Sequence, residues 1–184
     1  MNDFSDQFLI AMPAMGDERF AQSVAYVCEH NDDGAMGIVI NRPLGVNLGD
    51  VFEHMSIETD DEALKETIVF AGGPVETQRG FVLHPPGGDW DSGIEVDGKL
   101  QITTSKDILE AIANGDGPEK YLIALGYAGW EAGQLEEELV ENTWLSVESA
   151  SAILFDTPVD KRWQSAADLI GVDLKRMSSN SGHA

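Results

Sequence analysis

Two alternating apolar runs constrain the fold of this chain more than any other feature. Ser23-Val24-Ala25-Tyr26-Val27-Cys28-Glu29-His30 and Ala35-Met36-Gly37-Ile38-Val39-Ile40-Asn41 stand on either side of Asn31-Asp32-Asp33-Gly34. Asn, Asp and Gly tolerate positive φ, so the intervening residues predict a β-hairpin. Ile94-Glu95-Val96 and Leu100-Gln101-Ile102-Thr103 repeat the pattern around Asp97-Gly98, a dipeptide suited to a type I′ turn. Hairpins place neighbouring strands antiparallel, which argues against an all-parallel sheet.

The other segments fit around these hairpins. Phe8 to Met12 reads as a strand ended by Pro13, with turn chemistry over Pro13 to Asp17. Leu48, Val51, Phe52 and Met55 recur at helical spacing, predicting a short amphipathic helix over 48–55. Glu58 to Glu62 is expected as a solvated acidic loop. Ile68 to Ala71 and Gly80 to His84 read as strands ended by glycine and proline. Ser105 is the expected N-cap of a helix over 105–113 that stops at Asn114-Gly115. Asn142 to Val147 predicts a strand, Ala150 to Phe155 fits either state, and Pro158 opens a last helix containing Trp163, Ala166, Ala167 and Ile170. The polar residues 178–184 are expected to be a frayed tail after a single domain over 1–177. The fold class is therefore mixed α+β.

Tyr121 to Leu139 offers the most evident place for a site. Its apolar start, the turn-like Gly126-Tyr127-Ala128-Gly129-Trp130 and the acidic segment after it read as strand, glycine turn and helix. Free amides at such a helix start would hold an anion or a carbonyl oxygen. Trp130, Gln134, Glu137 and Glu138 share one broad helical face, so Trp130 either walls a pocket or belongs to the core, with Gln134 as a cap and Glu136-Glu137-Glu138 in solvent. Gly72-Gly73-Pro74 is either a close backbone approach to a ligand or a tight turn. Asn41-Arg42-Pro43 places a guanidinium at a strand end, either to clamp a carboxylate or phosphate of a ligand or, the favoured reading, to pair with one of the protein's own carboxylates, such as Glu137 or Glu138. His30, His54 and His84 are scattered and expected to be structural or surface residues. Consecutive acids such as Glu136-Glu137-Glu138 point in different directions on a helix and do not converge on one ion, so no metal site is predicted.

Charge narrows the function classes. Eleven Lys and Arg against 33 Asp and Glu leave a formal charge of -22 over 184 residues. Such a chain repels nucleic acid and anionic membrane at long range, which sets direct binding to either aside. Cys28 is the single cysteine, so an intrachain disulfide and a Cys-based zinc site are both excluded, in keeping with a reducing cytoplasm. The first seven residues carry two acids and no base, unlike a secretory signal. Phosphate-binding glycine-lysine and dinucleotide-binding glycine fingerprints are missing from the sequence, and no cofactor is predicted.

Taken in order, FLIAMPAM with Phe20, SVAYVCEH, GAMGIVINRPL, AGGPV, GFVLH, GYAGWEAGQLEEEL, NTWL and Trp163 span nearly the whole chain. In these motifs the chain resembles the AlgH/YqgE family of bacterial proteins. The resemblance implies a cytoplasmic protein with a curved, barrel-like, largely antiparallel mixed sheet and flanking helices. It implies no known reaction, and it carries transcriptional control of exopolysaccharide synthesis, such as alginate, only as an expectation exerted through a protein partner. The leading expectation is a non-enzymatic regulatory or binding protein whose groove, formed by Asn41, Arg42, Pro43, Gly72, Gly73, Pro74, Gly126, Tyr127, Gly129, Trp130 and Gln134, takes a protein partner or small ligand. The alternative is an enzyme using the amides after Gly129 with Glu137, Glu138 or His84 as acid or base. The sequence leaves oligomeric state and sheet topology open.

Overall fold

β9 (Leu122–Glu131) is the strand on which the sheet is assembled. In the computed structural model, which describes residues 3–13, 15–174 and 176, it pairs with three other strands. Its first half runs parallel to β5 (Ile68–Ala71) and antiparallel to β6 (Val75–His84). Its second half runs antiparallel to β3 (Gly34–Val39). The remaining strands are β1 (Gln7–Ala11), β2 (Val24–Asn31), β4 (Pro43–Asn47), β7 (Gly93–Val96), β8 (Leu100–Thr103) and β10 (Trp144–Glu148). The order is β10-β1-β2-β3-β9-β6-β8-β7, with β4 joined through β5 to β9. All pairs are antiparallel except β5 with β9.

The sheet curls into a half-barrel, and the packing shows why. Val147 on β10 and Val96 on β7, at opposite ends of the strand order, belong to one interior cluster with Phe8, Tyr26, Ile38, Phe81 and Ala124. Helices α5 (Ser151–Phe155) and α6 (Arg162–Asp168) plug that interior with Ile153, Leu154, Ala166 and Ala167. Outside, α4 (Gln134–Val140) covers Leu9, Val27, Val39 and Trp130 through Leu135. On the other outer face, α1 (Leu48–His54) and α3 (Lys106–Ala113) cover Val69, Val82 and Ile123. Both faces are thus buried over much of the sheet, so strands such as β1 and β9 read as continuous apolar runs.

One glycine reverses the alternation of β9. Before it, Leu122 and Ala124 point inward while Ile123 and Leu125 point outward. After it, Tyr127 packs inward and Ala128 and Trp130 outward. Gly126 has φ +81, a left-handed conformation that turns the strand about its axis where the register with β6 shifts. A strict period of two would have sent Tyr127 to the outside, and the turn at Gly126 brings it to the core.

Both predicted hairpins are present. Asp33 N donates to Asn31 Oδ1 at 2.8 Å in the first. In the second, Asp97 and Gly98 take φ 51 and 66, the positive pair a type I′ turn requires. Several boundaries move. The expected turn at Gly126 to Trp130 is the interior of β9, because β3 supplies a partner for it, and the helix starts only at Gln134. The strand expected to begin at Gly80 begins at Val75. Glu58 to Glu62 is not all loop: Asp61 Oδ1 accepts from Leu64 N at 3.1 Å and caps a single helical turn, α2 (Glu62–Lys65). Ala150 to Phe155 resolves as helix. The last helix is divided into a 3₁₀ turn, Val159–Lys161, and α6. Ser105 precedes α3 but makes no side-chain cap; Asp107 Oδ1 accepts from Ile108 N at 2.9 Å instead. Ala14 of the Pro13 to Asp17 turn and the tail at 178–184 lie outside the described residues.

Candidate functional site

Two of the three segments singled out in the sequence meet, and they meet backbone to backbone. A Cβ on Gly73 would stand 2.0 Å from Tyr127 C, and one on Gly126 would stand 2.4 Å from Gly73 O. Gly72 N donates to Leu125 O at 2.8 Å, and Val39 N donates to Gly72 O at 2.8 Å. The link from β5 to β6 is therefore pressed into β9 and β3, which explains the glycines sterically. Pro74 is exposed beside it.

The third segment lies next to the first. Arg42 O accepts from Ala71 N at 2.7 Å. Asn41 extends the β2–β3 ladder with its side chain, Oδ1 accepting from Val24 N at 2.9 Å and Nδ2 donating to Gln22 O at 2.8 Å. Arg42 does not pair with Glu137 or Glu138: its Nη2 donates to Glu18 O at 3.0 Å. Those glutamates sit across the outer face on α4, where Glu138 accepts from Trp144 Nε1 at 3.1 Å and from Gln134 Nε2 at 3.0 Å. Pro43 is exposed at the start of the edge strand β4.

Trp130 is buried, edge-on to Trp144 with ring centroids 5.9 Å apart, so it is a core residue. Gln134 Oε1 accepts from Glu131 N at 2.9 Å and holds the entry to α4. Gly129 faces Met36 across the β3–β9 ladder and is no helix start. Glu136 is not simply solvated, because it accepts from His30 Nε2 while His30 Nδ1 accepts from Phe4 N at 3.0 Å. That pair of bonds orients the ring of a buried histidine, with the proton on Nε2.

His84 is buried on β6, its Nδ1 donating to Pro85 O at 2.8 Å and its Nε2 accepting from Thr103 Oγ1 at 2.9 Å. Burial pushes its imidazole below the ordinary value. The residues of the enzymatic alternative lie on separate elements, Gly129 on β9, Glu137 and Glu138 on α4 and His84 on β6. Among the described residues no group of three or more His, Cys, Asp or Glu is placed to hold a metal ion.

One concavity lies elsewhere, between α1 and α3, and another of 730 Å³ lies beside Glu58 to Asp61 and Asn114 to Pro118. The first measures 690 Å³ and opens to solvent over the outer faces of β6 and β9. That volume is in the range of roughly 300–1,000 Å³ typical of small-molecule sites. Val82, Ile123 and Leu125 form the floor, Val51 and Met55 one wall, Leu109 the other, and Val46 the edge. Asp50, His54, Thr77, Gln78, Thr104, Ser105 and Lys106 make a polar rim. None of these residues was a candidate in the sequence. The apolar faces of both helices were legible, but their meeting over β6 and β9 depends on pairings between distant segments.

A curled, mainly antiparallel sheet with a helical plug inside, helices on both outer faces and an apolar groove defines the chain as an α+β half-barrel protein. Residues 8–175 match the model of the AlgH-like family, and the chain belongs to that family. A UPF0301 protein of Thioalkalivibrio sulfidiphilus is 55% identical over 183 residues, covering 100% of this chain and 98% of its own length. A UPF0301 protein of Nitrosococcus oceani is 52% identical over 181 residues, covering 98% and 97%. The solution structure of the AlgH protein from Pseudomonas aeruginosa superposes with a TM-score of 0.82 at 50% identity, covering 100% of this chain and 97% of that one. The crystal structure of a Corynebacterium diphtheriae protein gives a TM-score of 0.71 at 20% identity over 90% and 86% of the two chains, a likeness of fold alone. No helix among the described residues is long and apolar enough to cross a membrane.

Proposed function

We propose that this chain is a non-enzymatic binding protein whose small apolar ligand lies in the groove between α1 and α3, any regulatory effect being exerted through that occupancy. The groove carries the reading: it joins an apolar floor to a rim of hydroxyl, amide and ionisable groups, the usual composition of a ligand site. The segments Asn41 to Pro43, Gly72 to Pro74 and Gly126 to Gln134 enter the proposal as its frame. They hold β5, β6 and β3 against β9, whose outward residues Ile123 and Leu125 are the floor.

Nile red, an uncharged apolar dye, tests the reading. Saturable single-site fluorescence enhancement is expected, and Val46→Glu should abolish it while the thermal midpoint is retained, since Val46 is already 38% exposed. Absence of saturable binding to the native protein, or unchanged binding in that variant, would overturn the proposal.

A further inference from the structure

We propose that His30 is a proton-operated latch for the segment ahead of β1, exchanging one hydrogen-bond partner for another when its ring takes up a second proton. The imidazole is buried and held from two sides. Its Nε2 donates to Glu136 on α4, and its Nδ1 accepts from Phe4 N at 3.0 Å. Asp3 Oδ1 stands 4.0 Å from the same Nδ1, too far for a hydrogen bond, and accepts from Ser5 N at 2.8 Å. The Phe4 ring tilts over the imidazole with centroids 5.4 Å apart.

A second proton cannot enter this arrangement without moving it. It binds Nδ1, the one ring nitrogen without a proton, and turns an acceptor into a donor. The Phe4 amide then faces another N–H and has to leave. Asp3 is the acceptor that replaces it. Hydrogen bonds from Ser5 hold its carboxyl below the ordinary value of 3.8, so it stays charged, and its exposed side chain has to come only about 1 Å closer to bond the imidazolium. In doing so Asp3 Oδ1 turns from Ser5 N toward the ring. Asp3 and Glu136 are the carboxylates that reach within 4.0 Å of the imidazole nitrogens among the described residues. On the same strand Glu29 is exposed and accepts from Asn31 Nδ2 at 3.2 Å, while β3 and β9 bring Ala35 and Trp130 alongside, neither of which titrates. The movement has a fixed end: Asp6 N donates to Val27 O at 2.9 Å and its buried carboxylate accepts from Tyr26 Oη, so residues 3–5 turn about Asp6. Protonation is thereby coupled to the position of Phe4, which packs on the outer cluster under α4.

Amide and imidazole ¹⁵N resonances of the full chain, followed from pH 7.5 to 5.5, where histidines ordinarily titrate, test the latch. The His30 ring nitrogens and the amides of Phe4 and Ser5 should shift along one common curve. Asp3→Ala removes an exposed side chain and should displace that curve to lower pH by about half a pH unit, the worth of one exposed ion pair. Phe4 and Ser5 amides that stay still while the ring titrates, a ring that takes no proton over this range, or a curve unmoved in Asp3→Ala would each overturn the proposal. So would shifts spread through the core strands, which mark unfolding and not an exchange of partners at one residue.

Discussion

Lys99 Nζ lies 3.5 Å from Asp6 Oδ2, so the turn between β7 and β8, at one end of the strand order, touches the residue before β1, next to the other end. Asp6 is buried and also accepts from Tyr26 Oη at 2.7 Å and Ser149 Oγ at 3.0 Å. The contact closes the open side of the curled sheet.

The buried and exposed halves of this latch should differ sharply in energy. Asp6→Asn disturbs three contacts of a buried carboxylate and is expected to cost about 1–3 kcal/mol in urea unfolding. Lys99 is exposed, and Lys99→Ala should cost less than about 1 kcal/mol. Equal costs would show that the ion pair, and not the buried hydrogen bonds, holds the seam.

Stability should fall at alkaline pH. Burial raises the Tyr26 hydroxyl above its ordinary value of 10.0, with the Asp6 hydrogen bond adding to it, and burial raises the Cys28 thiol above 9.0. Both groups are held neutral in the folded state, so their contribution is complete below the unfolded values and is lost as pH rises past them. Urea midpoints should be level from pH 7 to about 8 and drop between about 9 and 11, and Tyr26→Phe should remove the upper part of the drop. Cys28 should react with thiol reagents only on unfolding.

On the acid side, His84 acts in the opposite sense. Its imidazole is depressed below 6.5 by burial, so the folded state resists the proton and stability is lost as pH falls from 6.5 toward the folded value. Thr103→Val removes the donor to Nε2 and should cost about 1–3 kcal/mol at pH 7.5. Burial still opposes the proton in that variant, and the methyl group offers a protonated Nε2 no acceptor, so the further loss at pH 5.5 should be at least as large as in the unsubstituted protein. A shallower acid limb would place the proton elsewhere.

Gly73 of the β5–β6 link and Gly126 of β9 should be intolerant of any side chain. In Gly73→Ala the new Cβ would be 2.0 Å from a backbone carbon, and in Gly126→Ala 2.4 Å from a backbone oxygen at φ +81. Each is expected to lower stability by more than about 3 kcal/mol. Gly98 at φ +66 has nothing within 4 Å, and Gly98→Ala should cost only the conformational strain, about 1–2 kcal/mol. Thermal melts of the three variants separate packing from φ strain.

The legible parts of this fold are those whose cause is local. Asn31 to Gly34 and Asp97-Gly98 carry their own turn chemistry, and Leu48 to Met55 and Ile108 to Ile112 carry their own periodicity. Gly126 misled because a glycine that bends a strand in place and a glycine that ends one look alike in sequence; the partner strand β3 decides between them. The ion pair proposed for Arg42 failed for a similar reason. A guanidinium at a strand end announces a need for oxygen, but the oxygen that accepts from it is the carbonyl of Glu18 and not a carboxylate on α4. The groove was illegible because Val46, Gln78, Lys106 and Leu125 are neighbours only after β4, β6, α3 and β9 have been laid side by side.

The reversed alternation at Gly126 divides labour along a single strand. One stretch of chain presents Ile123 and Leu125 to the groove and Trp130 to the packing under α4, and the two outward surfaces share no side chain. Drift at the groove floor can therefore proceed without disturbing the tryptophan pair, and repacking around Trp144 can proceed without reshaping the groove. The glycine works as an expansion joint, letting groove shape and structural upkeep vary independently in a chain of one core sheet.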